Sequence, residues 1–212
     1  LMLKNLTDIN NDGGEISSAQ AFNVTARNLN NSNGKLLSNQ ALTLRVDQAL
    51  TNLKGLIAAA TLDVKATSLD NSGGTLTSRA NLDLSLDGLL NNQNEGLINA
   101  TNGLTINSRG LNNQSGSLLG SAIAIDFGAA TADLNNSGGL ITTVGVLSIQ
   151  HLRDLSNRNG EISSTQSLDL SARALDNTGA KLISNNVLTV NADTVQNLGG
   201  LLSGWQIGRA HV

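Results

Sequence analysis

The stretch LDNSGGTLTS, from Leu69 to Ser78, sets Asn-Ser-Gly-Gly between two apolar residues. A glycine-rich loop of this kind cradles phosphate when a helix N-terminus follows it and adds amide hydrogens and dipole. The Gly pairs Gly13-Gly14, Gly73-Gly74 and Gly138-Gly139 are each followed by an alternating apolar and polar segment instead. They therefore read as turns, with Gly supplying positive φ at a corner.

The other chemistry-bearing residues are as sparse. A serine nucleophile needs a histidine partner, and the chain has two histidines. His151 lies in SIQHLRD, where alternation turns Leu147, Ile149 and Leu152 inward and leaves the imidazole on the surface. His211 lies in the terminal IGRAHV, which matches the translation of a common sequencing adapter. No functional weight is placed on it, and the repeat array is expected to occupy residues 1–206, with 207–212 an artefact. Asp63, Asp83 and Asp169 lie between inward residues and point outward. Calcium held between coils needs a nonapeptide period with Asp fixed after each Gly pair, and neither is present. Sequons at Asn5, Asn23 and Asn99 are expected by chance among 29 asparagines. No catalytic residue, cofactor or metal is expected.

What positions these residues is a repeat. The pattern of an apolar residue, any residue, Asn, a turn and Gly starts at Ile9, Leu29, Leu50, Leu69, Leu90, Leu111, Leu134, Leu155, Leu175 and Val195. Successive starts lie 19 to 23 residues apart, and the consensus is L-x-N-x-x-G-x-[IL]-x-S-x-x-x-L-x-L-x-A-x-x. Asn stands two places after every start, at Asn11, Asn31, Asn52, Asn71, Asn92, Asn113, Asn136, Asn157, Asn177 and Asn197. These residues could ligate a metal. The reading that satisfies their amides is an inward ladder, each bonded to the same amide one coil away. Corner glycines follow at Gly14, Gly34, Gly74, Gly116, Gly139 and Gly160, and a column of small residues at Ser18, Ser38, Ser78, Ser164, Ser184 and Ser203. The corners TNLKGL and NNQNEGL, in the copies from Leu50 and Leu90, are each expected to be shifted by one residue.

Within a unit the apolar residues alternate with period two, as in Leu82, Leu84 and Leu86 or Leu168, Leu170 and Ala172. No segment is long enough for a helix, and turn residues divide each unit into three short strands. One such unit cannot bury its own apolar face. Stacked coil on coil, equivalent strands pair in parallel about 4.8 Å apart and the inward residues form columns. The expected fold is all-β: a right-handed parallel β-helix, or β-solenoid, of about ten coils of 19–23 residues with three short strands each. A leucine-rich repeat has an overlapping period, but its Asn follows the L-x-L strand directly and its unit has a helical half.

Composition narrows function further. The net charge is −3 with scattered Lys and Arg, which gives no footprint for nucleic acid. No apolar run approaches the roughly 18 residues of a membrane span, and the start LMLKNLTDIN lacks the regions of a signal peptide. The chain is therefore read as an internal fragment of a longer protein. Cys, Pro and Tyr are absent, with two Phe and one Trp, so the core must be Leu, Ile, Val and Ala.

The units LDNSGGTLTSRANLDL, LNNSGGLITT and LSNRNGEISSTQSLDLSARALDNTGAKLIS resemble the filamentous-haemagglutinin-type repeat of large bacterial two-partner-secretion exoproteins, which include adhesins and toxin carriers of contact-dependent growth inhibition. The resemblance runs from Leu6 to Gly204. It implies export through an outer-membrane transporter, folding outside the cell, and a place in a shaft that is secreted or at the outer cell surface. A host or bacterial cell-surface receptor would be engaged by other domains. A second reading makes the rod itself an adhesin through a side face, and a third makes it a carbohydrate-active β-helix enzyme, against which the scarcity of His, Tyr and Trp argues. A plain shaft is expected to be polar and featureless on every face.

Overall fold

The computed structural model describes residues 1–207, so His211 and the adapter-like tail from Gly208 onward lie outside the described residues. Among the described residues there are 25 strands and no helix. They stack as a right-handed β-solenoid of about ten coils. In the coil that opens at Asn71, the first strand is Thr75–Ser78, the second Leu82–Leu86 and the third Leu90–Asn91. Elsewhere neighbouring strands run together, the first two as Leu97–Asn107 and the last two as Leu168–Asp176.

The strands pair in parallel with their counterparts in neighbouring coils. Register follows from the pattern, because a slip of one residue would turn each inward side chain to solvent. One inward column on the first strand runs Ile16, Leu36, Ile57, Leu76, Ile98, Leu118, Ile141, Ile162, Leu182 and Leu202 in direct register. On the second strand Val24, Leu44, Val64, Leu84, Ile106, Ile125 and Ile149 form another. Each fully buried side chain of this size contributes about 1.5–3 kcal/mol of transfer free energy. The lumen is therefore a dry aliphatic stack, and the two phenylalanines, Phe22 and Phe127, are buried in it.

Phe127 sits in the 23-residue unit, in a column that holds Leu86 and then Ser108 in the two coils before it. Ser108 is small enough to give the ring room. The cost is that its Oγ is a buried side-chain oxygen with no partner.

Two expectations are corrected. The corner TNLKGL is not shifted, since Asn52 and Gly55 keep the three-residue spacing and Gly55 N donates to Asn52 O at 3.2 Å. Only NNQNEGL holds an extra residue. It is absorbed by placing both Asn94 and Glu95 at positive φ, 54° and 67°, and closing the turn from Gly96 N to Gln93 O. The outer surface is also not uniformly polar, because the first strands turn Leu56, Leu97, Leu119 and Leu140 outward between the coils.

Alternation gives a paired test. Leu84 is fully buried and its neighbour Asp83 exposed. Leu84→Asp should cost upwards of about 3 kcal/mol through an unpaired buried charge, while Asp83→Asn should lie within about 0.5 kcal/mol of the parent. Urea unfolding followed by circular dichroism measures both, and similar losses at the two positions would contradict the assigned faces.

Candidate functional site

The one arrangement of polar side chains repeated in every coil is the corner between third and first strands. Its ten asparagines point inward, and eight of them, from Asn31 to Asn177, have no exposed surface. Each Nδ2 donates to the Oδ1 of the next: Asn11 to Asn31 at 2.6 Å, Asn31 to Asn52 at 2.8 Å, Asn52 to Asn71 and Asn71 to Asn92 at 2.7 Å. The run continues from Asn92 to Asn113 at 2.8 Å, then to Asn136 and Asn157 at 2.7 Å, to Asn177 at 2.9 Å and to Asn197 at 2.7 Å.

The second hydrogen of each amide faces backbone. Asn71 Nδ2 lies 3.1 Å from Gly74 O in its own coil and 3.2 Å from Leu97 O in the next. Every amide oxygen and nitrogen inside the stack therefore has a partner. A carboxamide is suited to this because it carries a donor and an acceptor and no charge. As a set the rungs bond to one another along the stack.

The glycines Gly34, Gly74, Gly116, Gly139 and Gly160 are required for a reason other than φ. A Cβ on Gly34 would lie 2.1 Å from Asn11 O in the preceding coil and 2.9 Å from Asn31 Oδ1 in its own. The same wall stands 2.0 Å from Gly74, 1.8 Å from Gly116, 2.2 Å from Gly139 and 2.2 Å from Gly160. At Gly14, in the first ladder coil, the nearest atom is Asn11 Oδ1 at 2.6 Å. Positive φ belongs to the residue before, at Gly13, Gly73 and Gly138 but also at Asn33, Lys54, Ser115 and Asn159. Sequence reasoning gave the second Gly of each pair the role of the first, and it passed over Gly55, Gly96 and Gly200, which meet the same wall. Their fixed spacing from the ladder Asn was the available signal. In one coil Ala180 takes this place, 2% exposed.

In six coils the residue before the ladder Asn, at Asn10, Asn30, Asp70, Asn112, Asn135 and Asp176, points outward and steadies the turn. Asn30 Oδ1 accepts from Ser32 N, Asp70 Oδ1 from Ser72 N and Asn135 Oδ1 from Ser137 N, each at 3.0 Å. At the next corner the serine column does similar work. Ser78 Oγ donates to Asn81 O at 2.8 Å, lies 2.9 Å from Ala60 O and accepts from Ala80 N. Ser164 and Ser184 reach across to the preceding coil at Gly145 O and Gln166 O, both 2.8 Å. Ser38 sits 3.2 Å from Gln20 O and Ala41 O, Ser18 Oγ accepts from Gln20 N, and Ser203 is half-buried. These hydroxyls are bonded to backbone, not to histidine.

His151 is exposed, at φ 55°, with Nδ1 2.6 Å from Asp126 Oδ1. Gly128 N and then His151 hold that carboxyl below its usual range. The pair lies on the outside of the rod, and among the described residues no hydroxyl is bonded to the imidazole as a nucleophile would be. Among the described residues no three His, Cys, Asp or Glu side chains converge as metal ligands would. Asp63, Asp83 and Asp169 lie on the outer face, and Asp63 is engaged by Arg45 of the preceding coil. A surface depression of about 500 Å³ opens over Asp87, Ser108, Asp126 and Phe127 beside the long unit.

Two measurements follow from the corner and its surroundings. Gly139→Ala should lower stability by about 2 kcal/mol or more by forcing coils apart. Ala180→Gly should hold or raise it, because relief at the wall offsets a glycine entropy cost of about 0.5–1 kcal/mol; equal losses in thermal unfolding would show the close approach to be unimportant. The carboxyls of Asp8, Asp126, Asp154 and Asp176 are all depressed, chiefly by bonds from Asn28, Gly128 N, Arg173 and Thr178. Groups depressed in the fold stabilise it fully above the ordinary carboxylate pKa near 4, and this is lost as pH falls through their lower folded values. The melting temperature should therefore drop below about pH 4, and a rise on acidification would contradict these contacts.

Comparison with curated proteins and with solved structures returns no match. The family model of the haemagglutinin repeat, in contrast, matches residues 5–94, 80–151 and 152–204. Those matches take in nearly all of the Asn-and-glycine corners just described, and on that ground the chain belongs to the haemagglutinin repeat family.

Proposed function

We propose that this segment is a stretch of the shaft of a large secreted or cell-surface bacterial exoprotein, and that its task is reach: it holds a distal adhesive or toxic domain away from the membrane. The observation that carries the reading is the unbroken Asn ladder, nine successive bonds from Asn11 to Asn197, which makes the coils one continuous rod. At about 4.8 Å per coil the ten coils extend roughly 45–50 Å.

Export as an unfolded chain through an outer-membrane transporter suits the composition. No Cys can cross-link in transit, and no Pro interrupts a ladder that must propagate coil by coil. In this reading the segment has no catalytic role. Adhesion by the rod itself is favoured by one observation, the apolar side chains on the outer face of the first strands.

Deletion of residues 69–110 from the full-length exoprotein removes two whole units and joins Ser68 to Leu111 in register. Export and the activity of the distal domain should persist, with that domain about 10 Å closer to the cell surface by distance measurement. Loss of binding or toxicity with export intact, and no recovery when two unrelated coils are inserted, would overturn the spacer role.

A further inference from the structure

The outer face of the first strands differs from the other two. In one outward row the residues in direct register are Glu15, Lys35, Leu56, Thr75, Leu97, Ser117, Leu140, Glu161 and Lys181, with Leu201 following in the last coil. Five uncharged coils are thus bracketed by a Glu–Lys pair on each side. The second row, Ser17, Leu37, Ala58, Thr77, Asn99, Leu119, Thr142, Ser163 and Ile183, mixes apolar and small polar residues and carries no charge at all. At its margin Val144 and Val146 are 70% and 56% exposed. The second strands instead turn Arg45, Asp63, Lys65 and Asp83 outward. A flat sheet face on which half-buried leucines alternate with small uncharged residues over five coils can be buried against a partner without stranding a charge.

The charges identify the partner. We propose that this face is a self-pairing surface, on which a second copy of the chain docks antiparallel about a two-fold axis through Leu97. Turning the row end for end about Leu97 sets Glu15 against Lys181 and Lys35 against Glu161, so all four charged coils meet opposite charges. Between them Leu56 meets Leu140, Thr75 meets Ser117, and Leu97 meets its own counterpart. A shift of one coil in either direction opposes Glu15 to Glu161 or Lys35 to Lys181. Docking in the same direction about an axis along the rod opposes each charge to itself. A single arrangement therefore satisfies both the apolar centre and its charged brackets, and like charges disfavour the rest.

The face is about 38 Å long and 13 Å wide, from a 4.8 Å coil spacing and a four-residue strand. Two copies would bury on the order of 1,000 Å² in total, at the lower bound for a specific interface, so the pairing is weak and reversible. On a displayed shaft, a consequence that rests on the projecting role above, antiparallel pairing joins molecules of opposite origin, as between two facing cells.

The test uses the soluble 212-residue chain, so its outcome does not depend on display. Sedimentation velocity over a concentration series should show a monomer–dimer equilibrium. Lys35→Glu with Lys181→Glu should weaken it by at least about tenfold, as should Glu15→Lys with Glu161→Lys, and mixing the two variants should restore it. Direction is read from cysteines introduced into a chain that has none. Mixed Leu56→Cys and Leu140→Cys chains should cross-link to each other and not to themselves. A chain monomeric throughout, homotypic cross-links at either position, or a dimer indifferent to the charge changes, as stacking of terminal coils would give, would each overturn the proposal.

Discussion

The fold depends on how closely one coil lies against the next at the Asn corner. There the backbone of the ladder Asn in one coil crowds the space where a side chain would stand in the next, and glycine leaves it free in every coil but the one with Ala180. That approach brings successive carboxamides within 2.6–2.9 Å, and the bonds between them satisfy groups whose burial alone would cost about 1–3 kcal/mol each. The close approach tolerates one methyl group, since Asn177 keeps its bonds at 2.9 and 2.7 Å with Ala180 at the glycine place. Unit length varies between 19 and 23 residues while the bond from rung to rung is kept. The extra residue in NNQNEGL shows the rule, since it is taken up inside the turn by two residues at positive φ while Asn92 keeps its 2.8 Å bond to Asn113.

The unusual composition follows from the same geometry. A lumen formed by three short strands is too narrow for rows of aromatic rings, and aliphatic columns at the coil spacing fill it in register. The single ring deep in the middle, Phe127, is admitted where Ser108 stands beside it, and an unpaired hydroxyl is the result. Asparagine serves twice, inward as the rung and outward at the preceding position, where its oxygen accepts from the turn. Glycine also has two separate uses, positive φ at Gly73 and close approach at Gly74.

The period, the inward columns and the ten rung positions were legible in the sequence because each repeats within a single coil or at a fixed interval. The second role of glycine was not, because the wall that excludes a Cβ belongs to a residue about 20 positions earlier and appears only when coils are stacked. Local reasoning could assign the pair to a turn, and there positive φ is the obvious use of Gly. The corner TNLKGL looked displaced because Leu and Lys replaced the usual small residues, although the spacing from Asn52 to Gly55 was intact. The His151–Asp126 contact was hidden for a similar reason, since 25 residues separate partners that stacking brings to 2.6 Å.

Because stability resides in the ladder and the aliphatic columns, outward residues are free to vary without unfolding the rod. Differences between its faces therefore bear on what surrounds it more than on how it stands. The second strands show that like charges in direct register are tolerated, Asp63 against Asp83 and Arg45 against Lys65, with a diagonal bond from Arg45 Nη1 to Asp63 Oδ1 at 3.0 Å easing the repulsion. Such a pattern needs no partner, since water screens it. The first strands are different: their outward centre is Leu, Ala, Thr, Ser and Asn, and their charges stand only where the uncharged strip ends. Folding places no demand on that ordering, because the same side chains in another order would leave every inward column and every rung unchanged. Within the rod it brings Lys181 Nζ to 3.4 Å from Glu161 Oε2, and against an opposing surface the sequence of charge, uncharged centre and charge sets both direction and register.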